Sequence, residues 1–218
     1  MNLDVAEHRS CTPSPERASV VSAHCKRRSG RRAASAGLLA ALLGLLLASP
    51  ASAEGPASNP QAAAFEVEFL TMMIDHHQMA VDTSGMCLEK AVHEDLLELC
   101  DSIMTTQAAE IEQMQAWLAD WYGIEHEPSM DDPGHHQQMA RLGALSGSAF
   151  EVAFLEMMTE HHAIAVAEGL ECLPQAGHSL LRRLCAGIAG SQTRESIQMQ
   201  VWLCRWFGEC GFRNPLAA

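Results

Sequence analysis

Apolar and polar residues recur along two parts of the chain with the period of an α-helix. From Phe65 to Val81, apolar side chains fall every three or four positions and leave only a narrow polar strip. A helix with so wide an apolar face is typical of the inside of a bundle. The pattern breaks between Gly85 and Ala91, and a second apolar stripe follows from about His93 to Trp121. The sequence therefore predicts two consecutive helices, the second of which stops at Gly123.

This pair of helices is present twice, at an offset of 85 residues. Phe65-Glu66-Val67 matches Phe150-Glu151-Val152, and the offset holds without a gap as far as Trp121-Tyr122-Gly123 and Trp206-Phe207-Gly208. Two hairpins that are each too small to bury their own apolar face are expected to pack together. No stretch has the alternating pattern of a β-strand. We therefore predict an all-α four-helix bundle with repeat one at about 65–123, a crossover at about 124–148 and repeat two at about 150–208.

The first 53 residues have the composition of a secretory signal. A basic block at 26–32 precedes an apolar run at 38–48, and small residues follow at Ala51 and Ala53. The apolar run is shorter than a membrane span requires. We therefore expect residues 1–53 to be removed on export, by the Sec or the Tat route. Residues 54–218 would then form the bundle in the periplasm or outside the cell.

The chain that follows the predicted signal is strongly acidic. From Glu54 onward it has 24 Asp and Glu residues and 7 Lys and Arg residues, which gives a formal charge of −17. This charge disfavours binding to nucleic acid or to an anionic membrane surface. It favours attraction of cations, although an acidic surface also keeps an exported protein in solution without any specific ligand.

Six cysteines lie beyond Glu54, and the hairpins predict how they pair. In each hairpin one cysteine ends the first helix and another lies early in the second, at nearly equal distances from the turn. The last two cysteines have no counterpart in repeat one and suggest a local bridge to the tail. An oxidising compartment favours disulfides, and thiolate ligation of a soft metal is the alternative. The expected bridges are Cys87–Cys100, Cys172–Cys185 and Cys204–Cys210.

Each repeat has a double histidine with methionines at helical spacing, in MMIDHHQMAV (72–81) and MMTEHHAIAV (157–166). Residues four apart on a helix are neighbours, so imidazole and thioether groups come together on the buried side. This combination suits Cu(I) and accommodates Cu(II), whereas zinc would use only the histidines and hard ions prefer oxygen. Copper is therefore favoured over zinc and iron. The candidate ligands are Met72, Met73, His76, His77 and Met79, with Met157, Met158, His161 and His162 in repeat two.

The second helix of each repeat has polar residues that face the histidines: Gln107 and Glu110, and Gln192 and Glu195. Buried polar groups need partners, so these side chains are candidates to orient the imidazoles. Glutamate near histidine is also found in di-iron bundles, but their E-x-x-H motif is missing here. Methionine and buried histidine are each common in helix cores without metal, so a purely structural bundle is the alternative for any single residue.

The crossover has further histidines and methionines, in EHEPSMDDPGHHQQM (125–139). A flexible tract of this composition can collect metal without a preformed site. The alternative is a solvated linker with scattered histidines.

The stretches FLTMMIDHHQMAV (69–81) and IMTTQAAEIEQMQAWL (103–118), and their counterparts in repeat two, resemble a bacterial family known as domain of unknown function 305. The resemblance covers nearly all of residues 61–208. It implies an exported, ferritin-like helical bundle, and some members of the family are periplasmic copper-binding proteins linked to copper tolerance. The signature positions that it implies are Met73, His76, His77, Gln107, Glu110 and Met114, and Met158, His161, His162, Gln192, Glu195 and Met199. Repeat two has Ile164 for Met79 and Glu171 for Met86, so we expect it to bind metal more weakly.

The sequence thus predicts an exported copper-binding bundle that serves in buffering, transport or tolerance and not in catalysis. The expected partners are the metal ion, another copper-handling protein and a further copy of the chain that forms a homo-oligomer. Nucleic acid and membrane insertion after signal cleavage are not expected. The alternatives are a ferritin-like metal-dependent oxidase and a structural or interaction bundle whose histidines and methionines are simply core.

Overall fold

The computed structural model describes residues 54–129 and 133–211, which form five α-helices. The helices are α1 Pro60–Lys90, α2 Glu94–Tyr122, α3 Pro133–Gly143, α4 Gly147–Gln175 and α5 Ser179–Phe207. No strand is present in these two ranges, so the all-α prediction is confirmed. The short helix α3 was not predicted, because the crossover was expected to be a flexible tract or a solvated linker.

Two of the sequence predictions concern residues outside these ranges. The predicted signal at 1–53 and Met130 of the crossover both lie outside the described residues. Within the described part of the chain, no helix is both long enough and apolar enough to cross a membrane.

The ends of the long helices follow from local chemistry. Asn59 accepts hydrogen bonds from two backbone N–H groups of the first turn of α1, and Pro60 occupies a position where a missing N–H has no cost. α1 continues through most of the predicted break and ends at Lys90. α2 and α5 are followed by Gly123 and Gly208, whose φ angles of 66° and 78° are readily adopted only by glycine.

The two hairpins share one core. α1 packs along α2, α4 packs along α5, and the hairpins meet chiefly between α1 and α4. One apolar cluster combines residues 69–74 of α1 with residues 165–172 of α4, and a second combines residues 80–87 of α1 with residues 150–158 of α4. α1 and α4 are therefore antiparallel. Because each cluster has residues from both repeats, neither hairpin buries its apolar face alone.

The three expected disulfides are present: Cys87–Cys100, Cys172–Cys185 and Cys204–Cys210. The first two join the helices of each hairpin beside its turn, and each links cysteines 13 positions apart. The third joins α5 to the chain that follows it. The thiolate alternative therefore does not apply to these cysteines.

A buried glutamate of each hairpin closes the turn of the other hairpin. Glu66 of α1 accepts hydrogen bonds from two backbone N–H groups of the α4–α5 turn (2.7 and 2.8 Å) and from His178 Nδ1 (2.6 Å). Glu151 of α4 accepts the same three from the α1–α2 turn, at 2.7 and 2.9 Å from the backbone and 2.8 Å from His93 Nδ1. The N-cap residues of α2 and α5 make no side-chain cap of their own. We call these two sets the Glu66 lock and the Glu151 lock.

The two locks differ by one hydroxyl group and by a contact of His178, whose Nε2 lies 3.1 Å from the backbone oxygen of Gly55. Tyr122 donates a hydrogen bond to Glu66, whereas its counterpart at the same place in repeat two is Phe207. The rest of the surroundings match, because an indole ring stacks on the histidine of each turn. The stacked pairs are Trp121 on His178 and Trp206 on His93, with ring centroids 3.9 and 4.0 Å apart.

Both lock carboxylates are held in their charged form. Burial raises the pKa of Glu66, but hydrogen bonds from Tyr122 and His178 outweigh burial, and the net pKa is below the ordinary value. Burial likewise raises the pKa of Glu151, and hydrogen bonds from His93 and the backbone of the turn bring the net pKa below the ordinary value. The locks are therefore built from carboxylates and not from carboxylic acids.

Candidate metal centre

The two double-histidine motifs meet in the middle of the bundle. His76 of α1 stacks on His161 of α4, with ring centroids 3.7 Å apart. His77 and His162 lie beside this pair and are fully buried. Along α1 and α4 these four residues fall between the segments that form the two apolar clusters. We call them the histidine layer.

A glutamate of the adjacent helix holds each outer histidine of the layer. His77 Nε2 lies 2.9 Å from Glu110 Oε2, and His162 Nε2 lies 2.7 Å from Glu195 Oε2. A carboxylate can only accept, so Nε2 has the hydrogen and donates it. In the neutral imidazole the lone pair is then on Nδ1, which in both residues is buried without a hydrogen-bond partner. Each outer histidine therefore has one ring nitrogen whose lone pair is available to bind a cation.

The central pair is neutral. Burial, followed by the neighbouring His77 and His162, lowers the pKa of His76 to about 3. Burial, followed by the neighbouring His76, holds the pKa of His161 well below its ordinary value. His161 Nε2 donates to the backbone oxygen of His76 (3.0 Å), which leaves the lone pair on Nδ1. Both ring nitrogens of His76, and Nδ1 of His161, lack a hydrogen-bond partner.

The two glutamines predicted to face the histidines are Gln107 and Gln192. Both are buried, and neither the oxygen nor the nitrogen of either amide has a hydrogen-bond partner. The contact with an imidazole is therefore made by the glutamate of each pair and not by the glutamine. Each buried amide without a partner marks a place where the bundle has unused donors and acceptors.

The predicted thioethers fall into two groups. Most lie on both sides of the histidine layer: Met73 and Met114 are fully buried in one apolar cluster, Met158 and Met199 in the other, and Met72 and Met157 are half-buried against them. Met79 belongs to neither cluster. It lies one helical turn before Thr83, whose hydroxyl contacts Met139 of α3 at 3.4 Å. Met79 is therefore the one candidate thioether that packs in neither apolar cluster.

Within the described ranges, no three His, Cys, Asp or Glu side chains are arranged to hold a metal ion by themselves. The donors that the structure does bring together are the imidazoles of the layer and the thioethers on either side. Their lone pairs are neutral and polarisable, which is the donor chemistry that suits a soft cation.

Residues 66–203 match the family model described as "Domain of unknown function (DUF305)". The chain belongs to the DUF305 family. Among solved structures, a DUF305 fragment from Deinococcus radiodurans is 30% identical with a TM-score of 0.58, and the match covers 69% of this chain and 99% of that chain. A DUF305 protein from Streptomyces coelicolor is 27% identical with a TM-score of 0.59, over 69% of this chain and 97% of that chain.

CopM is a further structural relative of this DUF305 protein. Its Cu(I)-bound form is 29% identical with a TM-score of 0.59, over 66% of this chain and 98% of that chain. Forms of CopM bound to Cu(II) and to Ag match equally well in fold. No match was found among curated proteins.

Sequence reasoning missed the contact between His76 and His161 in this DUF305 protein. Helical spacing identifies neighbours within one helix, but which helices face each other depends on packing. The repeat itself has a usable signal. When two identical hairpins pack with antiparallel first helices, equivalent positions of those helices meet where they cross. That symmetry would have placed His76 against its counterpart 85 residues later.

Proposed function

We propose that this DUF305 protein is an exported copper-binding protein that buffers or carries copper outside the cytoplasm, without catalysis. The observation that carries the proposal is the histidine layer, whose buried ring nitrogens have unused lone pairs and lie between thioethers. Metal binding is also supported by the fold that the chain shares with CopM, which has been solved in a Cu(I)-bound form.

The layer has polar atoms that the protein itself does not satisfy. Five ring nitrogens of its histidines are buried without a hydrogen-bond partner. The same is true of the side-chain amide groups of Gln107 and Gln192. An unpaired buried polar group costs about 1–3 kcal/mol. An ion that takes up imidazole lone pairs would offset part of this cost, so the energetics of the layer support a bound cation.

The neutral state of the central pair, His76 and His161, also supports a metal. A metal ion and a proton compete for the same lone pair, so an imidazole that is neutral at pH 7 binds metal without first losing a proton. Glu110 and Glu195 hold the other ring nitrogen of His77 and His162. Such a contact orients histidine ligands in metal proteins, and we assign that role to these two glutamates.

The donor types favour copper over zinc or iron, because thioethers are soft ligands that bind Cu(I) well. CopM has been solved with Cu(I), Cu(II) and Ag, and its similarity to this chain supports the same preference here. The proposed ligands are drawn from His76, His77, His161 and His162 with Met72, Met73, Met114, Met157, Met158 and Met199.

Three observations support export. Residues 1–53 have the composition of a signal, and the disulfides belong to an oxidising compartment. The Streptomyces coelicolor relative has a name that suggests secretion. A buffer or carrier in that compartment implies a copper-handling protein that supplies or receives the ion.

Anaerobic titration of Cu(I) against a competing chelator tests the proposal, on protein that begins at Glu54. We expect His76→Gln/His77→Gln and His161→Gln/His162→Gln each to weaken binding by about tenfold or more, since each removes two imidazoles. His126→Gln is the control, because His126 bonds Asp75 and is not part of the layer. If the layer variants keep their helical circular dichroism and bind Cu(I) as wild type does, the proposal is wrong.

The two layer variants should lose affinity to a similar degree. The expectation that repeat two binds more weakly came from Ile164 and Glu171, but Ile164 is 53% exposed and both positions lie outside the layer. The buried methionines beside the layer are matched between the repeats. Similar losses therefore follow from a shared centre, whereas a much larger loss for one variant would indicate that the repeats bind copper separately.

The His77–Glu110 and His162–Glu195 pairs support one alternative, a ferritin-like metal-dependent oxidase, because imidazole and carboxylate together also suit iron. Oxygen consumption after addition of Fe(II) or Cu(I) distinguishes the two functions. A carrier binds its metal without turnover, whereas an oxidase consumes oxygen as long as reduced metal is supplied. A protein with no affinity for copper beyond that of its acidic surface would instead be a structural bundle.

A further inference from the structure

A stripe of side chains on α1 lies against the crossover helix α3. The stripe consists of Met79, Thr83, Met86 and Lys90, which follow each other at helical spacing. Thr83 Oγ1 lies 3.4 Å from Met139 Sδ. A Cβ atom on Gly143 would meet Met86 Cε at 3.7 Å and Met86 Sδ at 4.0 Å.

Lys90, the last residue of this stripe, binds the chain at the end of α3. Its ammonium group donates to the backbone oxygens of Gly143 (2.6 Å) and Leu145 (3.0 Å), where α3 ends. The carbonyl of Gly143 is the last of α3, where carbonyls lack partners within the helix, and that of Leu145 lies in the connection to α4. The short helix is therefore held to α1 by a specific contact.

The contacts set the register of the two helices. Moving along α1 from Thr83 to Met86 corresponds to moving along α3 from Met139 to Gly143, so the two helices run in the same direction. One turn earlier, this register places His135 of α3 level with Met79 of α1. His135 is only 5% exposed although most of α3 is exposed, as expected for a side chain at this register.

We propose that Met79, Met86, Met139 and His135 form a second site for a soft monovalent cation, Cu(I) or Ag(I), between α1 and α3. Three thioethers and an imidazole are the donors that such an ion prefers. The three methionines are half-buried, whereas Met73, Met114, Met158 and Met199 beside the histidine layer are fully buried; of the three, only Met86 packs against an apolar cluster. An ion can therefore reach them from solvent.

Repeat two supplies a comparison within the same molecule. At the positions equivalent to Met79, Thr83 and Met86 it has Ile164, Glu168 and Glu171, and no helix corresponds to α3 among the described residues. If these methionines only filled space on α1, there would be no reason for them to occur where α1 lies against α3 and to be replaced at the equivalent positions of repeat two. Repeat two lacks three sulfur atoms of repeat one: those of Met79 and Met86 belong to the α1–α3 site, that of Met104 belongs to neither site, and none belongs to the histidine layer.

Titration with Ag(I) and, anaerobically, with Cu(I) tests this site independently of the histidine layer. The variant Met79→Leu/Met86→Leu/Met139→Leu removes all three thioethers and nearly conserves volume, so the fold should persist. We expect it to bind one equivalent fewer of Ag(I) than wild type. The layer variant His76→Gln/His161→Gln should keep that equivalent, and X-ray absorption of its bound Cu(I) should show sulfur ligands.

Three further variants test whether the loss of binding is specific to the α1–α3 site. His135→Gln leaves the sulfurs in place and should weaken the same equivalent by about tenfold. Met104→Leu removes a half-buried methionine of α2 that belongs to neither site, so the number and affinity of the bound ions should not change. Ile164→Met adds a sulfur to repeat two without a covering helix and should add no equivalent.

The outcomes separate this site from the proposed function. If the triple methionine variant binds as many Ag(I) and Cu(I) ions as wild type, with unchanged affinity, the α1–α3 site is wrong. It is equally wrong if wild type binds no Ag(I). If the triple variant loses one equivalent while the layer variants change nothing, the α1–α3 site stands and the histidine layer is not the copper centre.

Discussion

The two hairpins match where they face each other and differ where they face elsewhere. Each supplies a histidine–glutamate pair to the middle of the bundle, a disulfide beside its turn and a glutamate that closes the turn of the other. The differences are the helix α3, which contacts both α1 and α4, the hydroxyl of Tyr122, which has Phe207 as its counterpart, and the third disulfide, which only α5 has. The comparison indicates that the histidine layer needs both hairpins in equivalent positions, whereas the outer faces can acquire features that only one repeat has.

Removing a lock carboxylate should have the largest effect on stability. Glu66→Ala and Glu151→Ala each leave two turn N–H groups and a histidine without their acceptor, and loss of such a buried charged partner costs about 3–5 kcal/mol. The loss should be greater for Glu66, because Tyr122 also donates to it. Guanidinium denaturation measures the free energy of unfolding. Glu68→Ala, at an exposed position of the same helix, is the control; losses no larger than for Glu68 would show that the locks do not stabilise the fold.

The matched disulfides should contribute equally. Cys87→Ala/Cys100→Ala and Cys172→Ala/Cys185→Ala each open a loop of the same length, and chain entropy assigns about 3 kcal/mol to a loop of this size. Cys204→Ala/Cys210→Ala should cost less, since its loop is shorter and ties down only the tail. The same denaturation measurement checks all three variants. A marked difference between the first two would mean that the hairpins are not equivalent near their turns.

Tyr122→Phe removes from the Glu66 lock the hydroxyl that the Glu151 lock does not have. A hydrogen bond to a charged acceptor contributes about 1.5–3 kcal/mol, so a loss within that range is expected in the free energy of unfolding. The converse change, Phe207→Tyr, offers Glu151 an additional donor and should stabilise. If Tyr122→Phe has no effect on stability, the hydroxyl does not distinguish the two locks.

The smallest effect is expected in the pH dependence of stability. The folded pKa values of Glu66 and Glu151 lie below the unfolded value of about 4.5, so their contribution is complete above that value and is lost as pH falls through the folded pKa. The melting temperature should therefore fall on acidification below about pH 4.5. Glu66→Gln and Glu151→Gln should each flatten that fall, and thermal unfolding followed by circular dichroism between pH 6 and pH 3 measures it. An equally steep fall in both variants would assign acid sensitivity to other groups.

The sequence predicted the hairpins well because local signals determined them. The apolar period located the four long helices, Gly123 ended the second, and equal distances from the turn paired Cys87 with Cys100 and Cys172 with Cys185. α3 was missed for a physical reason. It is short, has only two buried residues, His135 and Leu142, and its stability depends on contacts with α1 that no local pattern contains.

The candidate site could be predicted by residue type but not by arrangement. The histidines and methionines were found from spacing, whereas the stacking of His76 on His161 depends on how α1 and α4 pack. Glu66 and Glu151 were noted only as markers of the repeat, because an acidic residue beside an apolar stripe has no local signal for burial. Their role became visible once each was seen to contact a turn more than 50 positions away in the chain.

The reciprocal locks have a consequence for any shorter version of this molecule. A chain with only one hairpin would have a glutamate with no turn to close and a turn with no glutamate to close it. Two such chains could complete each other about a twofold axis, with their inner histidines face to face on that axis. The present molecule corresponds to such a dimer joined into a single chain, and only in a single chain can one half acquire a helix that the other half lacks.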